Sequence, residues 1–361
     1  MTTAFVTGPT GCIGAATVQY LLDHGVQHVV GMSRKKNLSR LEPEYHDRLE
    51  FIEGDITVLE QVQDAISSIE PELIIHLAAL QTPDCMAHPL QGMEVNVVGT
   101  RNVVQAAYQL GDKLERLVLA SSSAVYGPRD MYPSETVMAD VPYSPANLYG
   151  YWKVCNEGMG QAFHRETGIS TVCIRLSTCY GPGRDLGMTS APTAMLKCAA
   201  AGKSFRMPYQ GREHFHFVGD VGAGFAEAAL APFDGYGVFN LRGITIHTEA
   251  FIETIRSVAA DLGVMDLDIG IAQGAQGMPF VNDLDAEASL AAFPNMPLTS
   301  MVDGIRISLQ SFREMAEAGE LEALTTPANR IVPGMGVFPS DAPNEPELFT
   351  VEFIEGIPAQ I

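Results

Sequence analysis

The sequence predicts an α/β fold: a doubly wound parallel sheet with a smaller lobe built from the C-terminal part of the chain. Three observations carry this reading. The chain opens on a short apolar run, Ala4 to Val6, then glycines at three-residue spacing, Gly8, Gly11 and Gly14, then Ala15 to Leu22, a stretch with an apolar helical face. Short apolar runs continue to alternate with helical stretches, as in parallel strands joined by crossover helices. One such run, Leu117 to Ala120, ends in Ser121, Ser122 and Ser123, at the strand end where parallel sheets hold ligands. With 361 residues the chain is long enough for a large core and two lobes.

The opening strand, turn and helix set the expectation of a dinucleotide site. Gly8 permits the tight turn, Gly11 lets the backbone approach a pyrophosphate, and Gly14 lets helix and strand pack closely. The helix N-terminus then aims free N–H groups at phosphate. An unliganded glycine turn would show the same spacing. Val26 to Met32 reads as the second strand and runs into Ser33-Arg34-Lys35-Lys36. No carboxylate stands there for a ribose 2′-OH, and an Arg beside a Ser suits a 2′-phosphate, so the expectation leans to NADP over NAD. A solvated basic loop is the alternative. Leu49 to Ile56 is the third strand. Asp55 at its end either reaches the adenine or caps the helix beginning near Val58. Leu73 to Ala79 is the fourth, closing in small residues that let a cofactor pass, with His76 as a packed residue rather than a ligand.

After the serines comes a polar loop and then a helix opening Leu148-Tyr149-Gly150-Tyr151-Trp152-Lys153. Tyr149 and Lys153 are four apart and share one helix face. A phenol of ordinary pKa, about 10, is a poor base at neutral pH. A neighbouring ammonium favours the phenolate, and the positive ring of an oxidised nicotinamide adds to this. Tuned in this way, Tyr149 takes a proton from a substrate hydroxyl as hydride leaves the same carbon, or returns it. Lys153 also bonds the nicotinamide ribose, and a hydroxyl from Ser122 or Ser123 holds the substrate oxygen.

With these residues in place, the chain resembles the extended short-chain dehydrogenase/reductase family, which includes the sugar-nucleotide epimerases and dehydratases. The resemblance covers roughly residues 3 to 260. Its motifs are Thr7-Gly8-x-x-Gly11-x-x-Gly14, His76-Leu77-Ala78-Ala79, Asn96-x-x-Gly99-Thr100, Ser122 to Gly127, Tyr149-x-x-x-Lys153 and Arg175 to Gly183. It implies a Rossmann-type fold with Ser122, Tyr149 and Lys153 as catalytic residues. It implies a cofactor held by Gly8, Thr10, Gly11, Cys12, Ile13, Gly14, Ser33, Arg34, Asp55, Ile56, Leu77, Ala78, Ala79, Asn96, Tyr149, Lys153 and Leu176. It places a sugar-like substrate against Ser122, Ser123, Thr178, Arg184 and Arg212, and implies a homodimer paired through the helix after Asn96 and the helix of Tyr149. There are departures. Thr178 stands where sugar-nucleotide enzymes usually carry an Asn on the substrate diphosphate, Cys179 replaces a Val, and the stretch Arg212 to Asp220 is out of register by one residue. These changes fit a free sugar, sugar acid or other hydroxy/keto compound at least as well as a nucleotide-linked one. The resulting expectation is an epimerase. The alternative is an NADP-dependent dehydrogenase or reductase of a small substrate, and the remote alternative a dinucleotide-binding sensor without turnover.

Lys and Arg number 22 against 43 Asp and Glu, a net charge of −21 at pH 7. Such acidity argues against nucleic acid or an anionic membrane as partner. Six cysteines without CxxC spacing read as free thiols in a reducing cytoplasm, with no metal site. No signal peptide or bilayer-crossing run is expected. His214 and His216 alternate with aromatics as on a strand, with at most one expected to face the site. Thr248 to Leu262 and Leu298 to Ala318 read as amphipathic helices, the second with Gly304 inside. The expected organisation is a dinucleotide-binding domain over residues 1–175, with the chain returning to it around 212–240. A mainly substrate-binding lobe follows over 176–330, and then a Pro- and acid-rich arm over 331–361.

Overall fold

The computed structural model describes residues 2–187, 189–278 and 281–321; the expected C-terminal arm lies outside them. The first half of the chain alternates strand and helix: β1 (Thr3–Thr7), α1 (Cys12–Asp23), β2 (His28–Ser33), β3 (Leu49–Glu53), α2 (Leu59–Ile69), β4 (Leu73–His76), the short α3 (Thr82–Ala87) and α4 (Pro89–Met93), and α5 (Gly99–Tyr108). β5 (Arg116–Ser122), α6 (Leu148–Thr167) and β6 (Ser170–Leu176) follow. The lobe then contributes β7 (Thr178–Tyr180), α7 (Ala191–Ala200), β8 (Phe205–Gln210) and β9 (Arg212–Phe217). Next come α8 (Val218–Leu230), β10 (Tyr236–Asn240), β11 (Ile244–His247), α9 (Thr248–Asp261), β12 (Ile269–Gly277), α10 (Glu287–Ala292) and α11 (Met301–Glu317).

Seven strands form one parallel sheet in the order β10-β6-β5-β4-β1-β2-β3. The reversal of strand order beside β1 makes the sheet doubly wound, with a ligand crevice at the carboxyl ends of the strands. Alternate side chains serve opposite faces. Ala4, Val6 and Val29 pack toward α1 and α8, while Phe5 and Val30 pack toward α2 and α5. Two small residues bring α1 and α8 close, since a Cβ on Gly222 would collide with the backbone of Ala16.

The lobe holds a mixed sheet, β11-β9-β7, and a separate pair, β12-β8. A third core gathers Tyr180, Met195, Phe215, Phe251, Ile305 and Phe312. Residues 212–217 stand as β9 in the lobe sheet, whereas α8 and β10 rejoin the main layer. The sequence-read helices at 248 and 298 form α9 and α11. The latter begins at Met301 because the Ser300 hydroxyl accepts the Asp303 N–H and so fixes the start. Among the described residues no helix is long and apolar enough to cross a membrane.

One buried polar cluster ties the layers together. Arg175 of β6 and Glu157 of α6 are each about 1% exposed and meet in a two-point ion pair, Nε–Oε1 and Nη2–Oε2 both 2.8 Å. Ser121 and Tyr143 donate hydroxyls to Glu157, and Arg175 Nη1 donates to Tyr126 Oη at 2.6 Å and to the Ala139 carbonyl at 2.7 Å. Tyr126 donates in turn to Asn240 of β10. Removing one member leaves an unpaired charge in a dry interior. Glu157→Leu is therefore expected to lower unfolding free energy by about 3–5 kcal/mol, measured by denaturant titration. A loss of under about 1 kcal/mol, the scale of a surface pair, would refute the assigned role.

Candidate active site

A cleft opens at the carboxyl ends of β1, β4, β5 and β6. Ile13 of α1, Leu77, Ala79, Leu80, Gln81 and Thr82 after β4, Ala120 to Ala124 around the end of β5, Asn147, Tyr149 and Lys153 at the start of α6, and Leu176, Ser177, Arg184 and Thr189 surround it.

The glycine turn runs into Ile13, which lines the cleft; the glycines themselves are not among the lining residues. Gly8 has φ +72°, and a Cβ there would press on the Ala78 backbone at 3.1 Å; one on Gly14 would overlap the Gly8 carbonyl. Gly11 is the N-cap of α1, with no side chain bonded over the helix end and no acid in its first turn. This leaves a cradle of backbone N–H groups suited to a pyrophosphate, and a nicotinamide dinucleotide fits the residues present. Thr10 Oγ1 lies 3.2 Å from Ser33 Oγ, so the turn and the end of β2 meet. Arg34 is exposed beyond them. Asp55 accepts the Thr57 N–H and hydroxyl, both at 2.9 Å, and so closes a local turn before α2, whose N-cap is Val58. The neighbouring Ile56 is buried, and its carbonyl accepts from Asn102.

The wall after β4 is pinned from behind. Thr100 donates its hydroxyl to Asn96 O, so its oxygen accepts from His76 Nε2. His76 Nδ1 then accepts the Thr7 hydroxyl at 2.7 Å, and Thr7 Oγ1 accepts the N–H groups of Leu77 and Ala78. Burial, with Lys153 adding to it, pulls His76 down to about 3, so this pin is neutral. Asn96 bonds both ends of its amide to the Leu80 backbone. It holds the wall and is not among the residues lining the cleft.

Ser122, Tyr149 and Lys153 converge in the cleft. Asn147 caps α6 by accepting the Gly150 N–H at 3.0 Å. A Cβ on Gly150 would overlap the Ala124 carbonyl, so glycine lets the first turn of α6 lie against the end of β5 and brings Tyr149 to Ser122. Lys153 Nζ donates to the Ala120 carbonyl at 2.8 Å and stands 5.6 Å from the centre of the Tyr149 ring. Burial pushes the phenol up to about 12, against the Ser122 hydrogen bond and the charge of Arg184, which lower it. Burial likewise pulls Lys153 down to about 8, with Cys85 and Glu157 opposing. Without a further positive charge beside it, Tyr149 is a phenol at neutral pH.

The expected substrate residues divide. Ser123 and Arg184 border the cleft. Thr178 is buried, and its hydroxyl donates to Glu213 at 2.7 Å. Arg212 is exposed at the start of β9, opposite His247, and is not among the lining residues; the one-residue register shift puts Glu213 inward instead. His214 and His216 lie on one face of β9, because alternate strand residues share a face. Both are buried against residues 241–245, away from the cleft lining. His216 Nε2 accepts the Ser177 N–H and so fixes the segment that borders the cleft. Sequence reasoning missed Gln81, Ser177 and Thr189 in the lining. It also missed Glu157, although its place one helical turn beyond Lys153 put it on the catalytic face.

Burial pushes the Glu213 carboxyl up to about 8, against the lowering effect of Thr178. The native state thus keeps a proton that the unfolded chain releases above its ordinary 4.5. The associated stability is full below that value and is lost as pH rises through about 8. Thermal unfolding at about pH 6 and about pH 9 should show wild type losing more stability on the alkaline side than Glu213→Gln; equal losses would contradict a protonated Glu213.

Residues 4–241 match the family described as the NAD dependent epimerase/dehydratase family. Among curated relatives, the UDP-glucose 4-epimerase of Mycolicibacterium smegmatis is 29% identical over 268 residues, 72% of this chain and 83% of its own length. Among solved structures, the Thermotoga maritima UDP-glucose 4-epimerase with UDP-glucose superposes with a TM-score of 0.74 at 20% identity, covering 87% of this chain and 99% of that one. The Bordetella bronchiseptica enzyme WbmH in complex with NAD+ superposes with a TM-score of 0.68 at 25% identity, again over 87% and 99%.

Proposed function

Because the chain belongs to the NAD dependent epimerase/dehydratase family, we propose that it moves hydride to and from a secondary alcohol carbon of a sugar-like substrate, with epimerisation as the net reaction. The observation that carries this is the convergence of Ser122, Tyr149 and Lys153 beside an open glycine cradle. A nicotinamide dinucleotide, when bound, supplies the hydride acceptor and donor. Gly8, Gly11, Gly14 and Ile13 would hold its phosphates, and Lys153 would hold its ribose. Ser122 orients the substrate hydroxyl, and Tyr149 removes its proton as the carbon is oxidised and returns it as the carbon is reduced. Lys153, held by the Ala120 carbonyl, keeps a positive charge beside the phenol.

The cofactor preference we propose is NADP. The end of β2 offers Ser33 and exposed Arg34 and no carboxylate, which favours a 2′-phosphate over a bare ribose. An NADP-dependent dehydrogenase of a small substrate is the second reading, favoured by Thr178 and Glu213 occupying each other's hydrogen bonds where a nucleotide-linked sugar would need free donors. We also propose a cytoplasmic homodimer. α4, α5 and α6 leave Leu90, Met93, Tyr108, Leu148 and Tyr151 exposed, Leu90 at 78%, an apolar surface suited to a second copy.

Tyr149→Phe is expected to lower turnover by about 10²–10⁴-fold while dinucleotide binding is kept. Near-normal turnover would remove Tyr149 from its role. Arg34→Ala should weaken NADP more than NAD in fluorescence titrations, and equal losses would defeat the NADP preference. Mass analysis of nucleotide released on denaturation separates the two reactions. Retained cofactor with a new sugar isomer marks an epimerase, and empty protein that reduces added NADP marks a dehydrogenase.

A further inference from the structure

The glycine turn and the lobe meet through a pair of thiols. Cys12 is the first residue of α1, directly after the N-cap Gly11. Cys179 is the middle residue of β7 and fully buried. Both are free, and the Cys179 thiol donates a hydrogen bond to the Cys12 sulfur. Cys12 Sγ also lies 4.0 Å from the Pro182 carbonyl, in the turn that follows β7. Arg40 spans the same junction: Nη1 donates to the Thr10 carbonyl at 3.4 Å and Nε to the Gly183 carbonyl at 3.2 Å. The two segments that carry the sulfurs are thus held side by side.

Cys12 has the surroundings of a reactive thiol. It stands at a helix N-terminus with no acid in the first turn, where free N–H groups favour a negative charge. It is half-buried, not sealed from solvent. The bond from Cys179 draws its thiol below the ordinary value against burial; Arg184 and Arg40 add to this and Asp185 opposes. The same bond, burial and the charges of Cys12 and Asp220 hold Cys179 well above its ordinary value, with Arg184 opposing. One sulfur therefore forms the thiolate while its neighbour keeps the proton. Burial raises the thiols of Cys85, Cys173 and Cys198 instead. A thiolate in contact with a second thiol is the arrangement in which an oxidised sulfur is resolved as a disulfide.

We propose that Cys12 and Cys179 form a peroxide-sensitive pair, in which Cys12 is oxidised, Cys179 resolves it, and the resulting disulfide ties the dinucleotide turn to β7. The Cys12 thiolate attacks one oxygen of a peroxide ROOH. An S–O bond forms, the O–O bond breaks, and the departing RO⁻ takes up the proton that Cys12 had lost. The Cys179 sulfur then displaces the hydroxyl from Cys12. The S–S bond forms, the S–O bond breaks, and the Cys179 proton leaves with the hydroxyl as water. The sulfur pair is oxidised by two electrons, and the peroxide is reduced by the same two. Sulfurs in hydrogen-bond contact must close to about 2.05 Å to join, which pulls the first turn of α1 toward β7. Gly14 has no room to follow, since a Cβ there would already stand 2.0 Å from the Gly8 carbonyl. The cradle of amides is distorted and its hold on a pyrophosphate weakens. That consequence rests on the dinucleotide reading; the disulfide does not.

The test treats the reduced full-length protein, without dinucleotide, with hydrogen peroxide, then alkylates it and maps its peptides by mass without reduction. The expected product is a Cys12 peptide joined to a Cys179 peptide and separated by dithiothreitol, with the exposed Cys155 outside any such link. In Cys179→Val the link should be lost and Cys12 trapped by dimedone as a sulfenic acid. Oxidised wild type should bind NADP or NAD at least about 5-fold more weakly than reduced protein, with dithiothreitol restoring the affinity. Cys12 left unmodified while Cys155 oxidises, or Cys12 oxidised in wild type with no link to Cys179, overturns the pair, and neither result needs a variant. A mapped link with unchanged dinucleotide affinity overturns the consequence assigned to it. A mapped link in a protein that binds neither dinucleotide even when reduced upholds the pair and overturns the dinucleotide reading.

Discussion

The buried pair of Glu157 and Arg175 is the constraint on which the site depends. Each charge is taken out of water, and each is stable there only because the other meets it at two points and the remaining lone pairs and protons are bonded by Ser121, Tyr126, Tyr143 and Ala139. The pair fixes the rotation of α6 about its own axis. Lys153 and Tyr149 lie one and two helical turns before Glu157 on the same face. Once Glu157 is turned inward to Arg175, the ammonium and the phenol are turned toward the end of β5. The glycine at 150 then sets the remaining distance by letting the helix start against the Ala124 carbonyl.

A second constraint shapes the electrostatics. The polar groups behind the cleft wall are bonded in neutral form: His76 between Thr7 and Thr100, and His216 between the Ser177 N–H and the Arg242 carbonyl. Burial holds both rings well below their usual pKa. Neutral pins fix backbone without adding charge, so the field inside the cleft comes chiefly from Lys153 and Arg184. A phenol raised by burial is then sensitive to each cation brought near it. In the proposed reaction a tyrosine kept protonated by burial would become available as a base once a positive ring lay beside it.

The parts of the fold that were legible in the sequence are those set by local pattern. β1 to β5, the glycine turn and the Tyr149 helix follow from short apolar runs, spacing and period. The lobe was harder to read because its strands are made by distant partners. Residues 269–277 read Ile-Gly-Ile-Ala-Gln-Gly-Ala-Gln-Gly, with no strand propensity to speak of, and become β12 only by pairing with β8, with a register shift between Ile271 and Gln276. The same reasoning failed for β9. A one-residue shift in a strand exchanges faces, so the motif placed Arg212 beside the substrate while the sheet places it in solvent and turns Glu213 inward. Within the site, Ser122, Tyr149 and Lys153 were legible from spacing. Gln81 and Thr189 were not, because what matters about them is that they meet Arg184 from 103 residues before and 5 after.

The inward turn of Glu213 bears on what the lobe can accept. Its two oxygens are bonded by Thr178 and Asn282, and Asn282 is bonded in turn by Ser177. This set joins β7, through Thr178, to β9, through Glu213, with Ser177 just before β7 and Asn282 in the connection after β12. The Thr178 hydroxyl is thus committed to Glu213 rather than offered to a ligand, and Glu213, were it to ionise, would repel a diphosphate. Arg184 borders the cleft beside Ser177. Burial thus fixes the first residues of the lobe by bonds among its own side chains, with Glu213 at their centre.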